Sequence, residues 1–192
     1  MRSGRRPGAP PPGRRRGRAS APRRAGAAPP RAADPGPRAG DGATAAAVPK
    51  FEVIHHPDRD RSVFMPFVPA IRINRGRLLW LAGTTALPVY HDHPHRREDI
   101  LAHLPDDLEA QTRRAMEGIK ATLAAAGATF ADVVHVFVFR ARPRIGDIGR
   151  TARIIDEYFA PYGHRPTSTN LAVLELGEPE QLIEIQMVAV VD

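Results

Sequence analysis

The sequence predicts an α+β sandwich, a mixed sheet carrying two helices on one face, and three features carry that prediction. Residues 132–140, "DVVHVFVFR", are β-branched and aromatic on both faces and read as an interior strand. Two stretches, from Asp106 to about Ala126 and from Asp147 to Phe159, repeat apolar residues at spacings of three and four behind a capping aspartate. The order of elements is strands, helix, strand, helix, two strands, which places both helices in one layer against the sheet.

Taken along the chain, the domain begins near Phe51, where "FEVIHH" has strand character and "HPDRDRS" turns. "AIRIN" (70–74) and "RLLWLAG" (77–83) flank Arg75 and Gly76, and "NRGR" suits a tight hairpin between them. The next segment, "TTALPVYHDHPHRREDILAHLP", is polar and punctuated by proline, and reads as a long loop of functional length. In the first helix Leu108, Thr112, Ala115, Met116, Ile119 and Leu123 share a face, and Gly127 ends it. In the second, Ile148, Ala152, Ile155 and Phe159 point inward, with Pro161 and Gly163 closing it. Strands over 168–176 and 181–191 follow. In the last, Ile183, Ile185, Met187, Ala189 and Val191 form one face, and Leu182, Glu184, Gln186, Val188 and Val190 the other. That second face is too apolar to stand in water, which implies an oligomer covering it.

Charge divides the chain. Residues 1–50 hold 11 Arg and one Lys against two Asp, a net +10, so the remainder sits at −3 within the total of +7. Half of the 20 Pro and half of the 16 Gly also fall there, with no aromatic residue. Residues 1–49 therefore read as a disordered Arg/Pro/Ala/Gly-rich tail, and residues 50–192 as the folded domain. The tail could touch nucleic acid weakly through phosphate charge, but it has no residue to stack on bases, and the domain itself offers no basic surface for a specific complex. The chain has no Cys, which removes disulfides, thiol nucleophiles and thiolate metal sites and fits the cytoplasm. It also lacks a run of about 18 apolar residues that would span a membrane.

Several polar positions invite a chemical reading. "GHRPTSTNLAVLEL" (163–176) sets Arg165 just ahead of the hydroxyls Thr167, Ser168 and Thr169, which either tie off backbone or line a site. "HDHPHRRE" alternates His91, His93 and His95 with Asp92 and Glu98 nearby. Such a run can bind a first-row transition metal or form a pH-sensitive lid, and it can equally be a solvated loop. Arg140, Arg142 and Arg144 follow the interior strand as an alternative anion clamp or a solvated turn. His135, alone on an apolar strand, suits a core or interface role. A buried Glu184 needs a partner, which favours a cleft with ordered water over a dry interface.

The ordered set "LWLAGTTALP", "LEAQTRRAMEGIKATLAAAGATFADVVHVFVF", "RPTSTNLAVLEL" and "LIEIQMVAVV" resembles the RidA/YjgF family, also labelled endoribonuclease L-PSP, across about residues 51–192. The resemblance implies a chorismate-mutase-like protomer, a homotrimer with clefts between subunits, and hydrolytic deamination of small enamine or imine substrates without metal or organic cofactor. By position, Glu184 matches the glutamate that orders the attacking water. Gly83 matches the family's Ser-Gly-Gln glycine, with Thr84 in the glutamine place, and Gln111 matches a helix glutamine. Phe67 stands where the family has tyrosine, Gln186 replaces a second glutamate, and Ser168 occupies the place of the arginine that clamps the substrate carboxylate. Arg165, three residues earlier, is the nearest substitute, and loss of the motif arginine makes this a divergent member.

The expectations are accordingly a RidA-like deaminase with Glu184 catalytic and Arg165, Thr167, Ser168, Phe67, Gly83 and Thr84 around a small-molecule substrate. The alternatives are a non-catalytic small-molecule binding or sensing protein on the same fold and, behind that, weak RNA binding or cleavage.

Overall fold

The computed structural model describes residues 48–91, 93–142 and 147–192. The predicted tail lies outside them but for Val48 and Pro49, as do Asp92 and Arg144. Strands β1 (Phe51–Ile54) and β2 (Ala70–Ile73) pair antiparallel. Strands β3 (Arg77–Trp80), β4 (Val133–Ala141), β5 (Thr167–Val173) and β6 (Ile183–Val191) form a mixed sheet in the order β3-β6-β4-β5. β4 and β5 are its parallel pair. The helices are α1 (Arg97–His103), α2 (Leu108–Ala125) and α3 (Ile148–Phe159).

The predicted α+β architecture is present, with local corrections. α2 is capped by Asp107, one residue later than expected: its backbone is extended and its carboxylate accepts from Ala110 N at 2.8 Å. Asp147 caps α3 as predicted, accepting from Gly149 N and Arg150 N. Gly127 takes the left-handed conformation (φ 69°) that closes α2. α3 buries a wider face than predicted: Phe159 and the partly buried Ile155 pack on the core as expected, Thr151 and Ile154 are buried besides, and of the predicted residues only Ile148 is exposed. The wider face lets α3 lie against α2 as well as the sheet, and Arg113–Glu157 and Arg150–Glu109 pairs line that seam. α1 was not visible in the sequence. It is two turns long with Ile100 as its one buried residue, too short for a periodic signal.

The predicted "NRGR" hairpin does not form. β2 pairs with β1, while β3 leaves it to pair with β6, Leu79 opposite Ala189. The turn is tied to the segment before β1 and to the end of β6 instead: Asn74 N and Arg75 N both donate to Lys50 O, and Gly76 (φ 98°) lies so close to Val191 that a Cβ there would sit 2.7 Å from its carbonyl oxygen. Glycine is required at that approach.

The core lies between the sheet and α2/α3, where Met116, Ile119, Leu123 and Phe159 meet Val136, Val138, Ile183, Ile185 and Met187. On the other face, Phe51 and Ile71 of the β1–β2 pair cover Val134, Val188 and Val190. Part of the apolar second face is thus closed within the chain. Beyond it Leu78, Trp80 and Leu171 remain 54%, 62% and 42% exposed.

One buried polar residue holds α2 to the sheet. Gln111, 0% exposed, donates from Nε2 to Pro105 O (2.7 Å) and Glu180 O (2.9 Å), and its Oε1 accepts from Leu182 N (2.8 Å). Gln111→Ala strands a buried N–H and two carbonyls, and unmade buried bonds cost about 1–3 kcal/mol each before relaxation. We expect a loss of roughly 2–4 kcal/mol, read from urea unfolding; a change within experimental error would show that this contact does not hold the helix.

Candidate functional site

Strand alternation decides which side chains can meet. Glu184 lies opposite Phe139, and Gln186 opposite Phe137, on the sheet face turned away from α2 and α3. The chain after β3 runs on beside β6: Leu81 N donates to Met187 O at 3.0 Å, and Thr84 and Ile185 exchange two backbone bonds of 2.9 Å. In that register Gly83 lies beside Gln186, and the neighbouring Glu184 side chain reaches over it. A Cβ built on Gly83 would collide with the Glu184 carboxylate, lying 2.7 Å from its Cδ, so the acidic group passes where a side chain would otherwise stand. Glu184 is half-buried, and its carboxylate has no hydrogen-bond or ion partner among the described residues. A half-buried carboxylate without a partner is poised to hold water or a donor from a ligand.

Thr84 points the other way, toward α2: its methyl would lie 3.1 Å from a Cβ on Gly118, and its hydroxyl donates to Ala82 O at 3.3 Å. With Gly83, Thr85 and Gln181 it lines a cavity of about 370 Å³ whose far wall is His91, His93 and His95.

Arg165 and Phe67 come together at a second cavity, of about 360 Å³, with His55, Arg59 and Met65. The Arg165 guanidinium is bidentate to Asp156 (2.6 and 3.0 Å) and lies over the Phe64 ring, 5.3 Å from its centroid. Hydrogen bonding to Asp156 raises its pKa, so it stays charged but already paired.

The three hydroxyls that open β5 divide between the faces. Thr167 pairs with His135 and Thr169 with Phe137, on the Glu184 side. Ser168 pairs with Val136, on the helix side, in a small recess with Pro66, Phe159 and Asn170. Thr167 Oγ1 donates to Val134 O (2.8 Å), so the 2.6 Å contact with His135 Nδ1 must be donated by the histidine. That leaves His135 Nε2 as a bare acceptor, buried and without a partner, and burial lowers the pKa of the ring. Ser168 receives a bond from Asn170 Nδ2 at 3.2 Å.

Arg140 faces the helix side opposite Ile183 and is only 3% exposed, with Nε and Nη1 unpartnered and its pKa lowered by burial. Within one chain, then, Gly83 meets Glu184, Arg165 meets Phe67, and Ser168 stands apart from both. Sequence reasoning missed Gln181 and Glu178, which reach the histidine loop from the β5–β6 turn; a contact across more than eighty residues leaves no local pattern.

A family model described as Endoribonuclease L-PSP matches residues 60–191. The chain is 29% identical to Protein DfrA of Myxococcus xanthus over 135 residues, 70% of this chain and 92% of that protein. It is similar to the crystal structure of YyfB from Yersinia pestis, a conserved Rid-family protein of unknown function, at 28% identity and a TM-score of 0.56, covering 74% of this chain and 99% of that one. A member of the YjgF/YER057c/UK114 family from Mycobacterium tuberculosis is 31% identical over 73% of this chain and 99% of its own, with a TM-score of 0.42.

The Gly83–Glu184 crossing can be measured as a coupling. Alone, Gly83→Ala should destabilise by about 1–3 kcal/mol, the usual cost of overpacking. In a Glu184→Ala background the same change should be close to neutral, because the colliding group is gone. Equal costs in both backgrounds would show that the carboxylate does not cross this glycine.

Proposed function

The chain belongs to the Endoribonuclease L-PSP family, the RidA/YjgF group, and from that premise we propose that it is a cytoplasmic hydrolytic deaminase of enamine or imine intermediates. The observation that carries the reading is the Glu184 carboxylate, unpaired among the described residues, lying over the Gly83 backbone. In the reaction, Glu184 accepts a proton from a water that attacks the imine carbon. That proton passes to nitrogen, giving the neutral carbinolamine; its hydroxyl proton then travels through Glu184 to nitrogen as the C–N bond breaks, so ammonia leaves and the carbonyl forms. An enamine enters the same route after protonation at carbon. Thr167, on the same face, and Arg165 with Phe67 in the second cavity are the groups proposed to hold the substrate. Ser168 and Thr84, proposed with them from the sequence, face the helix side, so their contribution needs a substrate or a second copy that reaches around the sheet edge.

We propose further that three copies assemble around the Glu184 face. Its support is the exposed Leu78 and Trp80 at one edge of that face and Leu171 at the other, apolar side chains that water would not favour. Sedimentation equilibrium should give three times the chain mass, and Trp80→Asp should shift the population toward monomer; a monomeric wild type would remove this part of the proposal.

One observation favours a second reading, a binding protein without turnover: Arg165 is already neutralised by Asp156, which weakens its hold on a substrate carboxylate. Ammonia release from 2-iminobutanoate and from bulkier imines separates the two. Loss of a positioned general base typically costs 10²–10⁴-fold, so Glu184→Ala should fall by about that factor. Equal rates for the two proteins would reject the mechanism, and saturable carboxylate binding without turnover in the wild type would select the second reading.

A further inference from the structure

In an extended chain, residues four apart lie about 13 Å from each other. The loop carrying His91, His93 and His95 is instead curled so that the three rings face one another, with centroids 4.8, 4.7 and 4.4 Å apart. One nitrogen from each ring falls within 4.8 Å of the others.

The hydrogen bonds at the back of two rings settle which nitrogens face inward. His91 Nδ1 lies 2.7 Å from Pro88 O, and a carbonyl only accepts, so Nδ1 carries the proton. His95 Nδ1 contacts the Glu178 carboxylate and is a donor by the same argument. Both Nε2 atoms therefore present lone pairs, and they point at each other across 2.7 Å. Two acceptors at that distance repel unless a cation stands between them. A carboxylate or carbonyl behind each imidazole is also the arrangement that orients metal-bound histidines.

We propose that His91, His93 and His95 form a three-imidazole site for a borderline divalent transition ion of the zinc class. Imidazole nitrogens favour such ions over Mg²⁺ or Ca²⁺. Two nitrogens on a tetrahedral Zn²⁺, at the usual bond length of about 2.0–2.1 Å, stand about 3.3 Å apart, so the His91–His95 pair needs to open by only about half an ångström. Three protein ligands leave one position of a tetrahedral ion open, and the cavity shared with Gly83, Thr84 and Gln181 adjoins it. That position would take water or an anionic group of a ligand in the cavity. The inference stands on the ring geometry and does not depend on the deaminase reading.

Full-length protein without an affinity tag, titrated with Zn²⁺ by calorimetry, should bind one equivalent per chain and bind no Mg²⁺ there. The triple variant His91→Ala/His93→Ala/His95→Ala should lose that equivalent. Its thermal midpoint in chelator should match that of the wild type, since the loop lies off the main core. Glu178→Ala should weaken binding about 10–100-fold by releasing the His95 ring. Co²⁺-loaded wild type should show the visible bands of a tetrahedral site, and His93→Asn should diminish them even if the triple variant folds poorly. Absence of stoichiometric zinc in the wild type would overturn the proposal and leave a proton shared between His91 and His95. Zinc retained by the triple variant would overturn it equally, by assigning the ion to other histidines.

Discussion

The structure depends on β6 being hydrogen-bonded along both edges, to β3 on one side and β4 on the other. A strand held from both sides cannot rotate, so its two-residue period becomes a fixed division of side chains. Ile183, Ile185, Met187 and Ala189 are sealed against α2, while Glu184 and Gln186 are held on the far face. A slip of one residue would drive a carboxylate and an amide among Met116, Ile119 and Phe159, with no partner to compensate for their desolvation. The same constraint that makes the core also presents the acid.

Polar contacts at one end of the sheet join parts that the core leaves separate. Gln111 ties the start of α2 to Glu180 and Leu182 in the β5–β6 turn. From that turn Glu178 reaches His95, Gln181 reaches Thr85 at 3.4 Å, and Glu180 pairs with Arg97 of α1 at 2.6 Å. The histidine loop, the short helix after it and the strand bearing Glu184 are therefore attached to one small segment. Movement there would be felt in the 81–85 stretch that lines the histidine cavity, because Thr84 is bonded to Ile185 and Thr85 to Gln181.

The arginines show how burial and pairing divide the roles that charge alone suggests. Arg165 is partly exposed but engaged with Asp156 and Phe64. Arg140 is enclosed on the helix side with two nitrogens unsatisfied among the described residues, an arrangement that costs stability unless something else meets it. Neither lies on the Glu184 face as a free cation.

The sequence by itself determined the fold class, α2 and its inward face, the cap at Asp147, the closing Gly127 and the alternation of β6. Each of these follows from a local repeat or a single residue's backbone preference. It also marked Gly83 and Glu184 as candidates, though one hundred residues apart. Only the tertiary structure decided that they touch, that Thr167 rather than Ser168 shares the Glu184 face, and that Arg165 is taken by Asp156. The failed hairpin at Gly76 has the same cause: β2 and β3 are adjacent in sequence, but β3 gains more by completing the ladder on β6 than by folding back. The histidine repeat was legible as a pattern, yet its curl, and the acceptors behind His91 and His95, depend on Pro88 and Glu178, one near and one far along the chain. Local rules are written in neighbouring residues; a site assembled from distant segments depends on which backbone ladder wins, and that is a property of the whole fold.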